Sequence, residues 1–261
     1  MKLIHLSDLH LTEARQPLFG SCPMERLDRA VESILHEHAD AQFCILTGDL
    51  ADDGSESAYG DLAKVLTRLP MPVYPMMGNH DEREAIRRQF PHLGVDASGF
   101  VQTVVDTAAG RFLFLDTLDS GFSWGRYCES RQAWLRKHLA ESGNQPVWLA
   151  MHHPPLSLGI PSMDQYALRD HCVFWSIVEP YRHRIRHIFL GHLHRSIGGS
   201  WNGIPFSCVR SPNHQVALDL VTTDKVPGCH EAPGYAVILI GESSVVIHQH
   251  EFLPIGERFW I

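Results

Sequence analysis

The sequence predicts an α/β fold in which a pair of sheets is covered by helices. Apolar runs of strand length recur along the 261 residues, several of them too continuous for a sheet with one wet face. Segments with helical spacing of apolar residues lie between them. Strand, helix, strand repetition that ends in further strands fits neither a helix bundle nor a β-only fold.

Lys2 to Leu6 reads as the first buried strand. Met24 to Ala39 follows as a helix, with Leu27, Ala30, Val31, Ile34 and Leu35 on one face. Phe43 to Leu46 is apolar throughout and reads as a strand, then Ser57 to Leu69 as a helix, Val73 to Met77 as a strand and Glu82 to Phe90 as a helix. Gly99 to Leu115 has the pattern of a hairpin turning at Ala109-Gly110, with Phe112 to Leu115 in its second arm. Arg131 to Leu139 is helical, Val147 to Met151 a buried strand, and Cys172 to Tyr181 a helix that Pro180 closes near its end. His187 to Leu190 is a strand, and a last hairpin joins Tyr235–Ile240 to Val245–Phe252 around Gly241-Glu242-Ser243-Ser244. No repeat, low-complexity tract or linker divides the chain, so residues 1–261 are expected to form one domain with its hairpin at about 235–252. The aromatic end Glu257-Arg258-Phe259-Trp260-Ile261 is expected to pack on a partner or on its own domain.

Charge narrows the function. With 22 Lys and Arg against 30 Asp and Glu, a net charge of −8 and no basic block, the surface is not built to neutralise a nucleic-acid polymer. The start, MKLIHLSDLH, lacks the long apolar run of a signal peptide, and no run approaches the roughly 18 apolar residues of a membrane span. A cytoplasmic protein with no membrane association is expected. Cys22, Cys44, Cys128, Cys172, Cys208 and Cys229 are scattered without a C-x-x-C and read as buried thiols rather than a disulfide framework.

The informative residues follow the strands. Asp8-Leu9-His10 comes after the first, Gly48-Asp49 after the second and Gly78-Asn79-His80-Asp81 after the third; His152-His153-Pro154-Pro155 and Gly191-His192-Leu193-His194 follow two later ones. Loops at the carboxyl ends of strands are where ligands bind in open α/β sheets. In extended backbone, residues i and i+2 point to one side, so Asp8 with His10, and His192 with His194, are expected to aim at a common region. Glycines before Asp49, Asn79 and His192 allow close approach of the backbone. Carboxylate, imidazole and amide donors without thiolate suit manganese, iron, cobalt or zinc. Seven candidate ligands exceed one open-sited ion, so two ions bridged by a carboxylate are expected, the usual clamp for displacement at phosphorus.

The ordered blocks D-x-H, G-D, G-N-H-D, H and G-H-x-H, from Asp8 to His194, resemble the fingerprint of the binuclear metallophosphoesterase superfamily. That resemblance implies a four-layer α/β/β/α sandwich of two mixed sheets flanked by helices. Within the superfamily LSDLH, GDLADDG and MHHPPLSLG look like the class III cyclic-nucleotide phosphodiesterases and the related glycerophosphodiesterases. It implies that Asp8, His10, Asp49 and His194 hold a first metal, that Asp49 bridges to a second, and that Asn79, His152 and His192 complete it. A hydroxide held by the metals would attack phosphorus, which makes Asp49 part of the catalytic machinery. His80 would meet the phosphoryl oxygens or assist the leaving group. Asn79 and His194 would also border the substrate. SPNHQV resembles a pocket-lining stretch, which makes His214 a candidate substrate contact.

Plainer roles exist for several of these residues. Asp8 and Asp49 are common turn residues, Gly-Asn is a turn pair at Asn79, and Asp81 suits the cap of the following helix. Asp52 and Asp53 read as solvated loop acids, and His153 competes with His152 as a ligand. His36, His38, His138, His171 and His183 read as surface groups, and His248 and His250 as neighbours on one strand face. The expected activity is hydrolysis of small phosphodiesters, 3′,5′-cyclic nucleotides such as cAMP first. Glycerophosphodiesters or a broader diesterase and monoesterase activity are the alternative. An inactive scaffold of this fold would have lost ligands, whereas all seven are present. The resemblance leaves open whether the chain works alone or as a homo-oligomer, a dimer or larger.

Overall fold

The continuous apolar runs become buried strands in the computed structural model, which describes residues 1–253, 256, 259 and 260. Strands β1 (Lys2–Leu6), β2 (Phe43–Leu46) and β3 (Val73–Pro75) are parallel, joined by helices α1 (Pro23–Glu37) and α2 (Glu56–Leu66). Such crossovers are what parallel neighbours require. Pro23 opens α1, where its missing N–H costs nothing. After α3 (Arg83–Gln89) the chain forms the hairpin of β4 (Thr103–Thr107) and β5 (Gly110–Leu115). Its turn falls on residues 108 and 109, one earlier than expected, because Gly110 already belongs to β5, packed against the Pro146 carbonyl where a side chain would not fit.

Helix α4 (Glu129–Glu141), strand β6 (Val147–Met151), the short α5 (Pro161–Asp164), α6 (His171–Val178) and β7 (Ile185–Leu190) continue the alternation. Next come β8 (Ile197–Trp201) and β9 (Ile204–Cys208), a hairpin absent from the sequence expectation. Its signal was present in Asn202-Gly203, both at positive φ, the two-residue turn that matches strand twist. A small ribbon pairs β10 (Gln215–Val216) with β11 (Gly228–Cys229), and β12 (Gly234–Ile240) with β13 (Val245–Glu251) forms the expected last hairpin.

Among the described residues the main sheets have the orders β13-β12-β1-β2-β3 and β4-β5-β6-β7-β9-β8. Side-chain alternation then builds three apolar layers. Ile4, Leu6, Cys44 and Leu46 pack under α1 and α2 with Leu27, Val31 and Leu62. Leu3, Phe43, Ile45, Phe112, Phe114 and Phe189 fill the space between the sheets. Leu113, Leu149 and Ile188 meet α4 and α6 through Leu135, Phe174 and Ile177. The result is the four-layer α/β/β/α sandwich of two mixed sheets.

The carboxyl ends of β1, β2, β3, β6 and β7 open along one edge. A cavity of about 880 Å³ lies at the other, amino-terminal edge, walled by Met1, Phe43, Trp148 and Ile240, away from the candidate ligands. The six cysteines are free thiols, but only Cys44 and Cys208 are fully buried and Cys172 is exposed. Phe259 and Trp260 are exposed, so they do not pack on the domain; Glu257, Arg258 and Ile261 lie outside the described residues. No helix of the described residues is long and apolar enough to cross a membrane.

Candidate metal centre

Five loops meet at the carboxyl edge, and backbone contacts lock them together. Asp8 N donates to Gly48 O at 3.0 Å and His10 N to Asp49 O at 2.9 Å, joining the loops after β1 and β2. The loop after β7 docks through His192 N, which donates to Asp8 Oδ1 at 2.9 Å. The loop after β3 docks through His80 N, which donates to Asp49 Oδ1 at 2.9 Å. The approach leaves no room for a side chain at Gly191, where a Cβ would stand 2.5 Å from Ser7 Oγ and 2.6 Å from Thr47 O.

Asp8, His10, Asp49, His192 and His194 all have positive φ, between 47° and 71°. The expectation that i and i+2 share a side through extended backbone is therefore wrong for both pairs. The loops use left-handed turns, uncommon for residues with a Cβ, to turn these side chains inward. Such conformations persist only where the surrounding contacts over-determine them, and they concentrate at functional sites.

The structure brings all seven candidate ligands together. Donor atoms of Asp8, His10, Asp49 and His194 lie within 4.8 Å of one another. His152 Nε2 lies 3.2 Å from Asn79 Oδ1, 3.3 Å from Asp49 Oδ2 and 3.2 Å from His192 Nδ1. Asp49 Oδ2 is also 3.6 Å from His10 Nε2, so one oxygen faces both groups.

Hydrogen bonds on the far sides of the rings decide what these atoms need. His152 Nδ1–H donates to Thr47 O at 2.7 Å, His194 Nδ1–H to His214 O at 3.0 Å and His10 Nδ1–H to Asp52 Oδ1 at 2.9 Å. Each ring, in its neutral form, then turns an Nε2 lone pair inward. The Nε2 atoms of His10 and His194 face each other at 3.1 Å, and that of His152 faces two oxygen acceptors. Lone pairs in such contact repel unless positive charge lies among them. Asp8 Oδ2 and His192 Nε2 are buried without a hydrogen-bond partner among the described residues. Buried polar atoms are rarely left so. This donor set fits divalent transition ions, with the outer hydrogen bonds fixing tautomer and ring orientation as ligating histidines require.

Electrostatics show that the two carboxylates draw positive charge into the cluster. Burial raises the Asp8 carboxyl to about 6, with Asp49 adding to the rise and His152 opposing it. Burial also opposes charge on Asp49, but the rings of His152, His80 and His10 hold its carboxyl well below the usual range. Burial likewise works against His152, yet the Asp49 and Asp8 carboxylates raise it to about 9, so in the protein alone this ring takes up a proton, and a bound cation would have to displace it. His194, pushed down to about 3 chiefly by burial, and His192, held well below its ordinary value by burial and the His152 charge, stay neutral with lone pairs free.

Around this cluster several residues take roles other than those expected. Asp52 is half-buried against His10 rather than a solvated loop acid, while Asp53 is exposed. Asp81 does not cap the helix; Glu82 does. The Asp81 carboxylate instead accepts from the backbone of Leu50, Ala51 and Gly78 and from Tyr59 Oη, tying the second loop to the third. His80 packs its ring against His10 at 4.7 Å, anchors Nδ1 on the Asp52 carbonyl at 2.6 Å and stays 40% exposed. His214 stands 4.6 Å from His194, ring to ring, and Phe19 packs on its other side. His153 bonds Thr117 Oγ1 at 2.8 Å and packs against His152 and His192. Thr47, Thr117 and Ser211, whose hydroxyl donates to Asp8 O at 2.7 Å, were missed because only the folded chain sets them beside the ligands.

A sequence model of the calcineurin-like phosphoesterases matches residues 1–196. A Rhodopseudomonas palustris protein named "Probable cyclic nucleotide phosphodiesterase" is 44% identical over 99% of this chain and 95% of its own. A glycerophosphodiester phosphodiesterase of Enterobacter lignolyticus is 30% identical over 88% of this chain and 81% of its own. Among solved structures, a dimetal phosphatase of Danio rerio superposes with a TM-score of 0.73 over 97% of this chain and 96% of that one, at 14% identity, a likeness of fold. The match of family, length and clustered ligands leads to one conclusion: the chain belongs to the calcineurin-like phosphoesterase family.

Proposed function

We propose that this chain is a metal-dependent phosphodiesterase for small diesters, with 3′,5′-cyclic nucleotides such as cAMP as its first substrates. The observation that carries the reaction is Asp49 Oδ2 standing between His10 Nε2 and His152 Nε2 at 3.6 and 3.3 Å. The substrate class rests on the near full-length similarity to a chain named as a cyclic-nucleotide enzyme.

In this reading Asp8, His10, Asp49 and His194 hold one ion, and Asp49, Asn79, His152 and His192 the other, drawn from Mn, Fe, Co or Zn. Such a pair supplies positive charge for the phosphoryl oxygens and lowers the pKa of water to make it a nucleophile near neutrality. The protein does the rest. Thr47, Asp52 and the His214 carbonyl fix the three ring orientations. Asn79 and His194 border the phosphoryl group, and the His214 ring forms its wall. His80, held through Nδ1, keeps Nε2 for the phosphoryl oxygens or for delivering a proton to the leaving oxygen. Residues 1–261 act as one catalytic unit in the cytoplasm, on small diesters rather than nucleic-acid polymers.

Glycerophosphodiesters are the second reading, favoured by the relative of that activity. The test is turnover of 3′,5′-cyclic AMP, 2′,3′-cyclic AMP, glycerophosphocholine and bis(p-nitrophenyl) phosphate by metal-stripped chain reconstituted with Mn²⁺. A kcat/KM for 3′,5′-cyclic AMP approaching about 10⁴ M⁻¹s⁻¹ supports the first reading. Turnover of only the glycerol diester moves the assignment to the second.

A further inference from the structure

A second group of ligand-type side chains lies outside the carboxyl edge, between the end of α1 and the outer strand β13. Donor atoms of Glu37, His38 and His250 lie within 4.8 Å of one another. Adjacent residues within a helix diverge by about 100°, but His38 is the C-cap of α1, with φ −140° and ψ 25°, and this departure lets its ring converge with Glu37. His250 arrives from β13, paired with Tyr235 across the hairpin.

The group is held in place as a site would be. The Tyr235 ring stacks on His250 at 4.8 Å and 20°, and Ser33 Oγ joins Tyr235 Oη at 2.8 Å to His250 Nε2 at 3.3 Å. His250 Nε2 stands 3.4 Å from Glu37 Oε1. Two ligands about 2.1 Å from a tetrahedral zinc are separated by roughly 3.4 Å, so this pair is already at ligand spacing. Both ring nitrogens of His38 are buried with no hydrogen-bond partner among the described residues, and the ring meets His250 edge to face at 5.1 Å. The strand-face reading of His250 is therefore incomplete, and His38 is not a plain surface group.

We propose that Glu37, His38 and His250 form a further divalent-metal site of two imidazoles and one carboxylate, suited to Zn²⁺, with Ser33 or water at the fourth position. It would clip the edge strand β13 to α1. The site uses no ligand of the carboxyl-edge cluster.

The test is equilibrium Zn²⁺ binding by metal-stripped full-length chain against a chromophoric chelator, for the wild type, Glu37→Gln, His250→Gln and Asp49→Ala. Three ions in the wild type and one fewer in Glu37→Gln and His250→Gln, with diesterase turnover unchanged, support the site. Equal ion counts in the wild type and Glu37→Gln overturn it. Should His250→Gln fail to fold, Glu37→Gln at the helix end carries the comparison alone. Two wild-type ions, both retained in Glu37→Gln, leave the binuclear centre standing and remove this site. One ion, lost in Glu37→Gln yet kept in Asp49→Ala, does the reverse.

Discussion

Asp52 Oδ1 accepts a hydrogen bond of 2.9 Å from His10 Nδ1, three residues beyond the carboxylate that His10 approaches with its other nitrogen. The bond fixes the tautomer of His10 and turns its Nε2 inward. Partners of this kind commonly contribute 10- to 100-fold to metal affinity. Asp52→Ala is expected to weaken binding at the His10 side by about that factor, read by chelator competition, while the fold is retained. Unchanged affinity would show that His10 is positioned by packing alone.

Asp49 faces both ligand groups with one oxygen. Asp49→Ala should lose both ions of the centre and nearly all diesterase activity. Metal analysis of the purified variant decides it, because retention of both ions excludes a bridging role.

The His80 side chain packs its ring on His10 and is bonded to a backbone carbonyl, while its backbone N–H donates to Asp49 Oδ1. His80→Ala should keep the metal content of the wild type while kcat falls by about 10²-fold or more, the scale of a positioned acid–base group. Loss of an ion from this variant would move His80 into the ligand set.

Gly191 has no room for a methyl group against Ser7 and Thr47. Gly191→Ala should destabilise the fold by about 1–3 kcal/mol through overpacking, measured as a lower urea midpoint. A midpoint equal to wild type means the β1, β2 and β7 loops can separate freely.

His5 lies between the sheets, bonded to Thr47 Oγ1 at 2.8 Å. Burial, with the neighbouring His187, pushes it down to about 3. The unfolded chain thus takes up a proton near pH 6.5 that the folded chain refuses, and stability falls as pH drops from there toward 3. In His5→Gln the loss between pH 7 and 5 should be smaller by about 2 kcal/mol, read from urea unfolding at both values. Parallel pH profiles for the two proteins would mean His5 is protonated inside the fold.

The candidate ligands and their order could be read directly from the chain. Each candidate sits one to four residues past a continuous apolar run, and such runs end where the backbone leaves the sheet. Asp8, Asp49, Asn79, His152 and His192 therefore declared themselves by local sequence. The Asn202-Gly203 hairpin was equally local, and its omission was a missed turn signal. Asp81 was different: its bonds to Leu50 and Ala51 reach a loop 31 and 30 residues away and that to Tyr59 a helix 22 residues away, and no local pattern distinguishes that role from a helix cap.

Sequence alone determined the α/β character, the positions of the main sheets' buried strands other than β9 and the chemistry available at the carboxyl edge, because periodicity and residue type are local properties. Folding decided how that chemistry is aimed. The left-handed turns at Asp8, His10, Asp49, His192 and His194 exist only because contacts between loops hold them. The meeting of Glu37 and His38 with His250 joins chain segments more than 200 residues apart. Each such arrangement depends on packing between distant segments, and packing is a property of the whole molecule.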